Sequence, residues 1–134
     1  MEAILNRSNF HVIENQGPNT LARFLRSTLT KAKAADLAIA FLSHSGVLTT
    51  LPLLRRAAAR GKVRVLTGLY QDLTDPKALR ALLRAQEQTN ERLEVRLSRN
   101  RKFHQMLYII KQKDGLQAVI GFVEPHAGWS EKRR

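Results

Sequence analysis

Three short apolar runs, kept apart by stretches of a different periodicity, limit this chain to few folds. Residues 36–42, Lys62 to Thr67 and Leu93 to Leu97 each have the length and composition of a strand. Between them, apolar residues recur at the spacing of a helix face. Strands that alternate with helices build a sheet with helices packed on it. The expected class is therefore α/β: a mixed β-sheet flanked by helices on both faces, an α-β-α sandwich.

Local signals place the elements. The turn Gly17-Pro18-Asn19-Thr20 can cap a helix running to about Ala35, with Leu21, Phe24, Leu25 and Leu29 on one face. Ser43 to Gly46 reads as a loop, followed by a second helix to about Arg60 that Gly61 closes. Thr74-Asp75-Pro76 starts a third helix, where proline in the first turn loses no hydrogen bond, and Leu79, Leu82 and Leu83 make its buried stripe. Two later strands, 102–111 and 116–121, are joined by a turn around Lys113-Asp114-Gly115.

A length of 134 residues suits one domain with a real core. No apolar run approaches the roughly 18 residues of a membrane span, and the N-terminus lacks the regions of a signal peptide. With no cysteine there is neither a disulfide framework nor a thiolate metal site, so a cytoplasmic address and no membrane partner are expected. The net charge of +12 points to a polyanion such as nucleic acid. Part of the excess sits at Lys132, Arg133 and Arg134, and charge runs are often only solvated faces. The cluster Arg96, Arg99, Arg101 and Lys102 is more telling, because it leads directly into His104.

Around that histidine the chain reads Phe103-His104-Gln105-Met106-Leu107-Tyr108-Ile109-Ile110. In a strand, His104, Met106, Tyr108 and Ile110 share one face, and Phe103, Gln105, Leu107 and Ile109 share the other. Arg101 to Gly121 resembles the HKD motif region of the phospholipase D superfamily, which usually reads Phe-His-x-Lys-x-Tyr, a hairpin, then Ile-Gly-Ser-x-Asn. Phe103, His104, Tyr108, Ile120 and Gly121 match it. The likeness extends back to about Asn19 and is nearest to the nuclease-type domain at the N-terminus of some bacterial helicases and restriction-type proteins. Asp36 to Leu42, Lys62 to Gly68 and Thr74 to Leu79 support it by their order and spacing.

The resemblance implies two-step phosphoryl transfer without a metal or other cofactor. One histidine, here His104, attacks phosphorus, a second histidine protonates the leaving oxygen, and lysines neutralise the developing charge. A chain with one motif completes such a site only as a homodimer that brings two copies of His104 to a twofold axis. Met106 occupies the motif lysine position, and losing one preorganised charge-stabilising group typically slows a reaction by about 10²–10³. Lys111 lies an odd number of residues from His104, on the wrong strand face. His11, His44 and His126 show no ligand spacing and read as structural or surface residues.

After Gly121 the family pattern ends. Residues 1–121 are expected to form the domain, incomplete at its C-terminal end, and 122–134 a divergent tail. Back-translated and read one base later, Phe122 to Arg134 permits Ser-Ser-Asn-Leu-Thr-Arg-Ala-Gly-Leu-Lys-Asn-Glu, which restores the missing half-motif. A frameshifted remnant is the resulting expectation. The functional expectation is a phosphodiesterase or nuclease-like domain acting on or binding DNA, weak or inactive as written. The alternative is a non-catalytic nucleic-acid-binding or dimerisation module of a helicase or restriction system.

Overall fold

A computed structural model describes residues 21–40, 42–68, 74–99 and 105–122. The elements follow in the order α1 (Leu21–Thr30), β1 (Ala32–Ile39), α2 (His44–Arg60), β2 (Val63–Gly68), α3 (Pro76–Gln88), β3 (Leu93–Ser98), β4 (Gln105–Gln112) and β5 (Gly115–Phe122). The mixed α/β class is as expected.

The strands form one five-stranded sheet in the order β3-β2-β1-β4-β5. β1, β2 and β3 run parallel, with Leu37 opposite Val65 and Val65 opposite Val95. β4 is antiparallel to β1, and β5 to β4. The turn at Lys113 and Asp114 closes the β4–β5 hairpin, and Gly115 takes a φ of 146° that only glycine adopts without strain.

The first helix is shorter than its sequence suggests. Lysine and alanine favour helix, yet residues 32–35 are strand. Their backbone is claimed from two sides, since Ala35 pairs with both Val63 and Ile110. Arg60 secures the junction: its Nε donates to the Ala32 carbonyl at 2.7 Å and its Nη2 to the Leu29 carbonyl at 2.9 Å. Ala32 and Ala35 are fully buried. Tertiary pairing outweighs a propensity difference of a few tenths of a kcal/mol per residue.

The second helix also starts earlier than expected. The Ser43 side chain accepts a hydrogen bond from the Gly46 N–H at 3.1 Å, so His44 opens the first turn. At the other end, Gly61 has an extended backbone, and its role is to leave space. A Cβ there would stand 1.7 Å from the Lys33 carbonyl oxygen. In α3, Asp75 caps and Pro76 opens the helix, but the buried residues are Ala78, Leu82 and Ala85, while Leu83 faces solvent. Small alanines let that helix approach the sheet closely.

All three described helices lie on one face of the sheet. Leu25 and Leu29 of α1, Leu51 and Leu54 of α2 and Leu82 of α3 join Leu37, Val65, Val95, Tyr108 and Ile110 in a single core. This departs from the expected sandwich with helices on both faces. The steps β1-α2-β2-α3-β3 all move the same way across the sheet, and right-handed crossovers then leave their helices on the same side. The far face carries Asp36, Arg64, Glu94 and Arg96 on one half and Leu66, Leu107, Ile109, Leu116 and Ile120 on the other. No described element covers it, and Leu116 and Ile120 are 67% and 77% exposed.

Candidate functional site

Parallel strands present their C-terminal ends together, and such an edge is the usual place for ligands in α/β sheets. Here that edge is formed by Ile39, Gly68 and Ser98. Because β4 is antiparallel to β1, it begins at the same edge, with Met106 opposite Ile39. β5 ends there too, with Gly121 opposite Met106 and Phe122 opposite Gln105. Phe122, the first residue of the expected divergent tail, is thus the last residue of the sheet.

His104, Phe103, Arg101 and Lys102 lie outside the described residues, as do His11, His126 and the tail from 123 onward. The described chain resumes with Gln105 at the start of β4. Met106 and Tyr108 point to the helix side, as the alternation requires, Met106 half-buried and Tyr108 buried. Lys111 is exposed, opposite Ala34 near the other end of β1, and so stands far from Met106 along the strand. His44 is half-buried in the first turn of α2.

Hydrogen bonds that sequence reasoning did not foresee tie the edge together. Thr74 Oγ1 donates to the Gly68 carbonyl at 2.6 Å and accepts from the Leu42 N–H at 3.3 Å. The Asp75 N–H donates to the Leu42 carbonyl at 2.9 Å, and the Gly68 N–H to that of Ala40 at 3.0 Å. Thr74 therefore clamps the exits of β1 and β2 to the entry of α3. Its sequence signal was only that of a helix start, because its partners are distant in the chain.

The basic cluster does not assemble on the Met106 side. Arg96 lies on β3, three strands from β4, or roughly 14 Å across the sheet, and on the opposite face. Its side chain is 68% exposed and pairs with Glu94 at 2.9 Å. Arg99 is exposed just beyond β3. Lys62 also holds Glu94, at 3.0 Å, and its hydrogen bond is the main reason that carboxyl stays below its ordinary pKa, with Arg96 adding to the effect. Asp36 receives two hydrogen bonds from Arg64, at 2.6 and 2.8 Å, which raise the pKa of the guanidinium. These pairs are solvent-exposed and screened by salt, so they organise the open face more than they stabilise it.

A cavity of about 470 Å³ lies on the helix side of the same edge. Leu25, Leu37, Leu54 and Val65 line it together with Met106 and Tyr108. No charged side chain does. Burial pushes the Tyr108 phenol up to about 12, so it remains a neutral hydrogen-bond donor at neutral pH. Among the described residues, no group of three or more His, Cys, Asp and Glu side chains is placed to hold a metal ion. None of the described helices is long and apolar enough to cross a membrane.

No family model matches this chain, and no curated protein matches it.

Proposed function

We propose that the chain is a phospholipase D-like domain that engages a nucleic-acid backbone, DNA in the first instance, with phosphodiester cleavage weak or absent. The observation that carries this reading is the seat of Met106. It stands two residues beyond His104, on the strand that begins at the ligand-binding edge of the sheet, half-buried against Ile39 in an apolar surround. That is where the resemblance calls for a lysine.

In the proposed chemistry His104 attacks phosphorus, and the bond to the leaving oxygen breaks as a second histidine, from the twofold-related copy, protonates it. Water then displaces the phosphohistidine. Each step places negative charge on the phosphate oxygens, and a thioether offers them neither charge nor a donor. A twofold dimer lacks two such lysines. The same observation favours a binding or dimerisation module over an enzyme, in keeping with a part in a helicase or restriction system, and the net charge of +12 supports a polyanionic partner.

A cleavage assay on DNA tests the reading. The unaltered chain and a His104→Ala variant should bind alike and both cleave at or near background, with or without a chelator. Robust cleavage that survives His104→Ala, or that a chelator abolishes, would show the site to be elsewhere.

A further inference from the structure

Protein interiors leave few voids larger than a water molecule, and an empty apolar cavity is destabilising in proportion to its volume. A space of about 470 Å³ in a chain of 134 residues calls for an explanation. It falls within the roughly 300–1,000 Å³ of small-molecule sites. Its walls come from three elements of different sequence origin: Leu25 of α1, Leu54 of α2, and Leu37 and Val65 of the sheet. Met106 adds an adaptable thioether, a side chain suited to irregular apolar shapes.

One polar group among these walls has nothing to bind. Tyr108 is 6% exposed and lines the cavity, and its hydroxyl has no hydrogen-bond partner among the described residues. Buried phenols normally find one. Ser43 and Thr50 also line the space, but Ser43 already accepts from the Gly46 N–H and Thr50 donates to the Gly46 carbonyl at 2.8 Å. The free donor is therefore that of Tyr108.

We propose that this cavity is a binding site for a small, uncharged, largely apolar molecule with one hydrogen-bond acceptor, which the Tyr108 hydroxyl engages. The absence of any charged side chain from its walls sets this site apart from a phosphate site, since an ionised group buried there would lose its hydration without compensation. The inference is independent of the proposed nucleic-acid function.

The probe is prodan, a neutral naphthyl ketone whose emission shifts to the blue on leaving water, titrated into the full chain. Saturable one-to-one binding with a blue shift is expected, with a higher melting temperature in its presence. Tyr108→Phe keeps the ring and removes the hydroxyl, and should weaken prodan binding by about 5- to 10-fold, the worth of one hydrogen bond. A naphthalene that lacks the ketone should bind both forms equally. Ala22→Trp, at an exposed α1 position that lines the cavity, should fill it and abolish binding without unfolding the chain. Absence of prodan binding, or binding unchanged in Tyr108→Phe, overturns the proposal. DNA affinity at low salt should be the same in all three proteins, so loss of one activity is read separately from the other.

Discussion

At the scale of single residues, Met106 and Tyr108 illustrate two uses of one strand face. Both point to the helix side, yet only Tyr108 is fully buried, because it lies deeper along β4, opposite Leu37, while Met106 sits at the edge opposite Ile39. Burial of Tyr108 has a consequence in alkali. An unfolded tyrosine gives up its proton near pH 10, whereas the folded one holds it to about pH 12. The stability this provides is complete below pH 10 and is lost as pH rises through about 12, a span of two units or about 3 kcal/mol. Denaturant titrations from neutral pH upward should show that fall in the unaltered chain and a flatter curve in Tyr108→Phe. Equal slopes in the two proteins would mean that Tyr108 is open to water.

Elements are positioned by contacts that no local pattern announces. Gly61 illustrates this: the chain reads as a helix that glycine ends, and a helix does end there, but the reason for glycine is the Lys33 carbonyl. That backbone belongs to β1, in the stretch 32–35 where sequence reasoning continued the first helix, so the contact was invisible before the strand was known. Gly61→Ala should destabilise the fold by about 3 kcal/mol or more, because a backbone atom cannot move aside as a flexible side chain can. Urea unfolding measures it directly. A loss below about 1 kcal/mol, the ordinary size of a mutational effect, would show that β1 and the α2–β2 junction are further apart.

On the scale of the whole molecule, charge is the property that the proposed function uses. A basic domain that neutralises phosphates releases condensed counterions, and its affinity falls steeply with salt. If about four phosphates are engaged, a fourfold rise in salt should weaken DNA binding by about 100-fold, with little dependence on base sequence. Fluorescence anisotropy at several salt concentrations measures the slope. A flat response would leave the net charge of +12 as a solvated surface. Arg96 should contribute less than its position in the basic run suggests, since Glu94 already holds it on the open face.

Periodicity and punctuation by themselves determined the α/β class, the order of the elements, the β4–β5 hairpin with its turn before Gly115, the start of α3 at Asp75 and Pro76, and the shared face of Met106, Tyr108 and Ile110. Each depends on residues within about one turn or one pleat of each other, which is the range over which a linear pattern carries information. Tertiary structure alone decided the rest. It drew residues 32–35 into the sheet through Val63 and Ile110, gathered α1, α2 and α3 on one face, and sent Arg96 to the side away from Met106. It also left a cavity beneath Met106 and a phenol inside it without a partner. These outcomes turn on pairings between residues tens of positions apart, and hydrogen bonding and close packing settle those only when the whole chain has come together.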